Sequence, residues 1–358
     1  MKWEIAKLGK IAIIRTGKLD SNAAVIGGRY PFFTCDPNTL SIDVWAYDTE
    51  AVLLAGNNAS GNYTAKYYKG KFNAYQRTYI IESANEEELN IRYLYYALNQ
   101  QLRLLKTMSS GSTTKFLTSR MLDNLDSPLI GINIQTQIVN ILSAYDDLIE
   151  NNQKQIKLLE EAAQRLYKEW FVDLRFPGHE NTKIVDGVPE GWHWGLLQEL
   201  INVNYGKDHK KAPESGDVSV YGSGGLIRKC NKSLFSGEAV LIPRKGSLNN
   251  IMYVDETFWT VDTMFYATMK QPHTAIFVYF FVKSFDMYSM NIGAAVPSMT
   301  TKILDAMNVL IPKDEILGKF DKQAKVCFDK IKTLQRQNEQ LRKARDLLLP
   351  KLMSGEAV

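Results

Sequence analysis

Between Gln135 and Val172 apolar residues recur in alternating steps of four and three, and neither proline nor glycine interrupts them. The seam reads Ile138, Leu142, Tyr145, Ile149, Asn152, Ile156, Leu159, Ala163, Leu166 and Trp170, apolar at every position but one. That alternation predicts a coiled-coil helix. At about 1.5 Å per residue it would be roughly 57 Å long, too long to bury its stripe within one small domain. It needs a partner. A second seam with the same alternation lies near the C-terminus, at Phe320, Ala324, Cys327, Ile331, Leu334, Asn338, Leu341, Arg345, Leu348 and Leu352. Run antiparallel with paired residue numbers summing to 490, the helices set Ile149 against Leu341, Asn152 against Asn338, Ile156 against Leu334, and Leu159 against Ile331. An unpaired amide in an apolar seam is penalised, so two facing asparagines select one register. Charge agrees, with 7 acidic and 5 basic residues in 135–175 against 10 basic and 4 acidic in 319–351. The alternative is two unrelated amphipathic helices, each packing on its own domain.

Elsewhere the periodicity is that of strands. Short apolar runs such as "GKIAIIRTG", "YPFFTC", "EAVLLAG" and "YQRTYII" alternate with turns, followed by one helical run, "EEELNIRYLYYALNQQLRLLK". This predicts an α+β domain over residues 1–130 and a central helix over 131–173. Residues 174–191 read as a linker, because Pro177, Gly178, Gly187, Pro189 and Gly191 break regular structure. A second domain, 192–312, repeats the first, and a C-terminal helix and tail occupy 313–358. Trp3, Leu8, Gly17 and Lys18 recur at an offset of 189 as Trp192, Leu197, Gly206 and Lys207. "EAVLLAG" recurs as "EAVLIPRKG", "YLYYAL" as "FVYFFV", and the two long helices align at an offset of 182. The chain is a tandem duplication of domain plus helix. Antiparallel pairing of the helices implies a pseudo-twofold axis, with two globular domains at opposite ends of a rod.

Composition narrows the function. A chain of 358 residues with 45% apolar content supports two or three domains with cores. The longest apolar run, "TAIFVYFFV", stops at Lys283, far short of the roughly 18 residues of a membrane span. "MKWEIAKLGK" lacks the apolar core of a signal peptide, so a cytoplasmic location is expected. Cys35, Cys230 and Cys327 read as reduced thiols. The four histidines have no metal-ligand spacing, and no phosphate-binding GxxxxGK[ST] loop or GxSxG elbow occurs. "CDPNTL" only approaches an adenine methyltransferase motif. We therefore expect no catalytic residue, metal or cofactor in this chain.

Two unlike domains on paired helices suit a target with its own approximate twofold symmetry and set repeat length, and double-stranded DNA has both. Total charge does not make the case, at 15 basic against 12 acidic residues in 1–130 and 12 against 13 in 176–312. Local clusters do better. In the second domain Lys207, Lys210 and Lys211 follow a Tyr-Gly turn, Arg228 lies in the next loop, and Arg244, Lys245, Ser247, Asn249 and Asn250 occupy "PRKGSLNN". Lysines there would neutralise phosphates, while Arg244, Asn249 and Asn250 have the donor and acceptor patterns for guanine and adenine edges. In the first domain the equivalent turn supplies Asn57, Asn58, Ser60 and Asn62, with Arg15, Lys18 and Lys66 for phosphates and Thr113, Thr114 and Lys115 from a glycine loop. The bland alternatives are solvated loop charge and plain Asn/Gly hairpin turns. Asp146, Asp147, Glu150, Glu160 and Glu161 read as a solvated helix face that would also suit a basic partner surface.

Three stretches, "IENNQKQIKLLEEAAQRLYKEWF" from Ile149, "LRFPG" from Leu174 and "LRKARDLLLPKLMSGE" from Leu341, resemble the specificity subunit of type I restriction-modification systems. The resemblance runs over essentially the full length. It implies two target recognition domains, each reading one part of a split DNA sequence, joined by helices that set the spacer. It also implies docking of two methyltransferase subunits carrying S-adenosylmethionine for adenine N6 methylation, and of restriction subunits using ATP and Mg. The competing function is a structural adaptor that scaffolds proteins and never touches DNA.

Overall fold

The computed structural model describes residues 4–58, 61–108, 115–211, 213–290 and 298–356. The chain divides into two compact units, one of Met1–Asn152 with Arg336–Val358 and the other of Gln153–Gln335.

Unit 1 opens with β1 (Glu4–Lys7), the single-turn helix α1 (Leu8–Ile11) and β2 (Ala12–Thr16). It continues through β3 (Tyr30–Phe33), β4 (Leu40–Ile42), β5 (Tyr47–Ala55), β6 (Asn57–Asn58), β7 (Ala65–Ala74) and β8 (Thr78–Ser83) to helix α2 (Ile91–Met108). Then come β9 (Lys115–Phe116), α3 (Ser119–Asp123), β10 (Asp126–Leu129) and the long helix α4 (Ile132–Tyr167). Six strands form one sheet in the order β2-β8-β5-β7-β3-β4, antiparallel except for the β3–β7 pair. The continuous apolar run of β5 has a simple cause. Val52 and Leu54 enter the core beneath α2, while Ala51 and Leu53 fill a second core on the other face. A strand buried on both sides cannot alternate apolar with polar. Helix α2 starts later than "EEELN" suggests, because the Asn90 side chain accepts from the amides of Arg92 and Tyr93 and caps the helix there.

Unit 2 begins in the second half of α4, which closes with a π-helical turn, Lys168–Val172. The predicted linker is a folded segment. Phe176 packs on Trp192 at 4.8 Å between ring centroids, and both are buried. Strands β11 (Ile184–Val185) and β12 (Val188–Pro189) form a hairpin there. Asp186 and Gly187 at its tip have φ of 53° and 77°, the primed turn that suits a two-residue hairpin. The glycines and prolines of 174–191 thus shape a tight turn, which a breaker count alone reads as loss of structure.

There follow β13 (His193–Leu196), β14 (Ile201–Tyr205), β15 (Val218–Gly222), β16 (Gly225–Cys230), β17 (Phe235–Pro243), β18 (Met252–Thr260) and β19 (Met264–Met269). The unit ends with α5 (Ala275–Lys283), α6 (Thr301–Asp305), β20 (Asn308–Ile311) and the first part of α7 (Asp314–Ser354). Its sheet order is β14-β19-β17-β18-β15-β16, with the β15–β18 pair parallel. Strand for strand this is the order of unit 1, so the duplication read in the sequence is a duplication of topology. The details repeat as well. Thr118 and Thr300 cap α3 and α6 through the amides of Met121 and Ile303, and Val240 and Ile242 face one core while Ala239 and Leu241 face the other. Every residue of α5 from Ala275 to Val282 is buried, which explains its uniform apolarity. Trp170 and Phe171 join that core, as do Phe277 and Phe280. Asp321, 2% exposed, meets His273 Nδ1 at 2.8 Å and Lys325 at 2.9 Å, tying the start of α7 to the turn before α5. The three cysteines are free. No helix is long and apolar enough to cross a membrane among the described residues.

The predicted amide pair of the helix seam is formed. In unit 1, Asn152 Nδ2 donates to Asn338 Oδ1 at 2.9 Å, and both residues are buried. Asn338 Nδ2 in turn donates to the Ile149 carbonyl at 3.4 Å. In unit 2, Ile331 and Leu334 are buried, and Leu159 and Ile156, expected opposite them, are half-buried. One expectation is corrected. Asp146 is no solvated acid, because it accepts from Arg345 and from the Tyr96 hydroxyl, and Asp147 pairs with Arg92 at 2.6 Å. Burial, then the Asp146 carboxylate, pushes the Tyr96 hydroxyl well above the ordinary tyrosine range. The amide pair yields a prediction for unfolding by denaturant. Asn152→Leu strands the Asn338 amide and should cost about 1–3 kcal/mol, whereas Asn152→Leu with Asn338→Leu should recover most of that loss.

Candidate nucleic-acid interface

Each unit gathers its polar tip around one turn. In unit 1 the turn is 75–78, to which two segments are tied by backbone hydrogen bonds: Gly17 donates to the Thr78 carbonyl at 3.1 Å and Gly56 to the Arg77 carbonyl at 2.8 Å. In unit 2, Gly206 donates to the Met264 carbonyl at 3.0 Å, Lys207 to Thr260 at 2.9 Å and Arg244 to Thr263 at 2.8 Å. Gly17 and Gly206 occupy equivalent places for a steric reason. A Cβ on Gly17 would lie 2.1 Å from the Ala74 carbonyl oxygen, and one on Gly206 would lie 2.0 Å from that of Val261. Only glycine lets the segment approach the turn this closely.

This anchoring brings Lys18, Asn57 and Asn58 together in unit 1. Strand β6 pairs with β9, setting Asn57 opposite Phe116 and Asn58 opposite Lys115. Asn62 extends the group, since its amide donates to Asn58 Oδ1 and its own Oδ1 accepts from Lys106 at 2.8 Å. Lys106 and the exposed Arg77 were missed by sequence reasoning. The only available signal for Arg77 was its place in a short turn between two strands. Two candidates are engaged inside the unit. Arg15 pairs with Glu82 at 2.7 Å and stacks over Tyr47. Lys66 donates to the Asp36 carbonyl at 3.0 Å, and burial pulls its ammonium below the ordinary lysine value. Ser60, Thr113 and Thr114 lie outside the described residues, as do Trp3 and the segment 291–297.

In unit 2 the structure keeps Lys207, Lys210, Arg244, Lys245 and Ser247 at the tip, where Lys245 bridges to Ser298 as Asn57 does to Phe116. Lys211 ends a short helical turn, His209–Lys211. Three other candidates serve the fold. Arg228 lies in strand β16 and not in the expected loop, and it donates to the His209 carbonyl at 2.6 Å and to that of Lys229 at 3.1 Å, so it holds the loop after β14. Asn249 donates to Asp286 at 2.9 Å and accepts from the Met287 amide at 2.8 Å. Asn250 donates to the Ser223 carbonyl at 2.9 Å. Chemically, both tips offer cationic donors on tied backbone, and unit 1 adds side-chain amides. Among the described residues no group of three or more His, Cys, Asp or Glu side chains is placed to hold a metal ion.

The type I restriction modification DNA specificity domain matches residues 1–161 and again residues 189–346, once on each half of the repeat. The chain belongs to that family. Within the specificity-domain family it is 31% identical over 224 residues to the EcoDI specificity subunit of Escherichia coli, covering 56% of this chain and 49% of the relative. The chain thus spans about half the length of that curated relative. It is 28% identical over 307 residues to the MjaIX specificity subunit of Methanocaldococcus jannaschii, covering 74% and 68% respectively. A crystal structure of the S subunit of a type I restriction-modification system from M. genitalium shares the fold, with a TM-score of 0.64, 19% identity, and coverage of 98% of this chain and 96% of that one. Two domain matches on two units of identical strand order are what a duplicated specificity-domain protein requires. The assignment of Arg228 to loop support predicts that Arg228→Ala speeds limited proteolysis within residues 209–217 and leaves the cleavage pattern of unit 1 unchanged.

Proposed function

We propose that this chain is the DNA sequence-specificity subunit of a type I restriction-modification complex. Each unit reads one half of a split, asymmetric site in double-stranded DNA, and the paired helices α4 and α7 set the spacer. Two methyltransferase subunits dock on the chain, carry S-adenosylmethionine and methylate adenine N6. Restriction subunits, using ATP and Mg, join the larger assembly. The chain itself supplies no catalytic group and works in the cytoplasm. What carries this reading is the double match to a DNA specificity domain, placed on two units that share a strand order but differ at their tips. Same scaffold with unlike tip chemistry is the arrangement by which two different half-sites would be read.

The decisive test is binding of the full chain to duplex DNA across a salt series. If about six phosphates are contacted, affinity should fall about 1,000-fold between 50 and 200 mM salt. Lys207→Ala and Lys245→Ala should each reduce the slope by about one without changing the preferred sequence. Binding that is absent, or indifferent to salt, would leave the adaptor function in its place. The helices make a separate prediction. Removing residues 153–159 together with 331–337 takes one heptad from each side of the seam and keeps its register. That shortens the paired helices by about 10 Å, so the spacer between half-sites should shrink by roughly three base pairs while the half-sites stay the same. Changed half-sites with an unchanged spacer would contradict the proposal.

A further inference from the structure

At the tip of unit 2 one half-exposed side chain is fixed at its base by backbone hydrogen bonds. The Arg244 amide donates to the Thr263 carbonyl at 2.8 Å, and the Arg244 carbonyl accepts from the Met299 amide at 2.9 Å. Its guanidinium lies 5.8 Å from the centroid of the Tyr205 ring. Tyr205 is 54% exposed and is itself held edge-on by Phe265, with ring centroids 5.0 Å apart. No carboxylate pairs with Arg244 among the described residues. The neighbouring groups with base-reading chemistry are occupied elsewhere, Arg228 on backbone carbonyls, Asn249 on Asp286 and Met287, and Asn250 on Ser223. Two exposed lysines are anchored at the same turn, Lys245 next to it in the chain and Lys207 through its amide bond to the Thr260 carbonyl.

Resting on the reading that unit 2 binds DNA, we infer that Arg244 reads a guanine in that unit's half-site, that Tyr205 positions it, and that Asn249 and Asn250 contribute no base preference. The guanidinium presents two parallel N–H donors that match the N7 and O6 acceptors of guanine, whereas adenine places a donor where O6 would be. Contact with a fixed ring limits the rotamers of a long side chain and so pre-organises its fork. Lysine carries the same charge without the fork. The repeat places Gly56 where unit 2 has Arg244, so this guanine belongs to one half-site only.

The test selects bound duplexes from a randomised pool with the full chain and sequences them. Wild type should return a split motif with an invariant guanine in one half. Arg244→Gln and Arg244→Lys should both lose that guanine, by about tenfold or more in preference, with the other half-site intact as an internal sign of folding. Tyr205→Leu should weaken the same preference while low-salt affinity for unselected DNA holds, which separates positioning from general binding. Asn250→Ala should leave the motif as it is. A motif that survives Arg244→Lys with its guanines intact overturns this inference alone. A wild-type chain that selects no motif overturns both this inference and the proposed function.

Discussion

Two amides buried in an apolar seam constrain the rest of unit 1. Asn152 and Asn338 satisfy one another only when the helices meet at these two positions. A slip of three or four residues would face each amide with a hydrocarbon side chain, at a cost of about 1–3 kcal/mol apiece. Leucine there would pack as well and choose less. The correct register also brings Arg345 to Asp146 and leaves Tyr96 a carboxylate acceptor, so a single polar pair coordinates contacts a full turn or more away.

A duplicated fold can carry two chemistries because its invariants and its variables sit in different places. The invariants are steric: an apolar strand buried on both faces, a threonine cap, a glycine pressed against a carbonyl oxygen. Each recurs in both units because the same backbone path demands it. The tips obey no such demand. Unit 1 presents amides flanked by lysines, and unit 2 an arginine stacked on tyrosine. Segments that leave the same turn by the same hydrogen bonds can therefore end in different side chains without disturbing the core beneath.

The linker and the candidate site show where sequence reading reached its limit. Pro177 through Gly191 contains every local sign of disruption, yet Phe176 and Trp192 stack across it and Asp186-Gly187 closes a hairpin. Breaker residues report that the chain turns, and the aromatic partners that make the turn compact come from outside the window. Among the site candidates the same limit recurs. Asn249 sits beside Arg244 in a polar loop and looks equally available, but Asp286 lies within hydrogen-bond reach of one and not the other. Lys66 has the composition of a phosphate contact and the surroundings of a half-buried strut. Arg77 has the reverse, an unremarkable sequence context and an exposed place in the anchoring turn.

What the sequence by itself determined was everything that repeats with a period: the coiled-coil seam, the register picked out by its two asparagines, and the copying of one domain into another. Periodicity is a local property, since residues three, four or two apart share a face whatever the remainder of the chain does. Only the tertiary structure decided which polar side chains are spent within the protein and which remain to meet a partner. Asn249 and Asp286, or Asp146 and Arg345, are far apart along the chain and adjacent in space, and a hydrogen bond between them leaves no trace in the spacing of either.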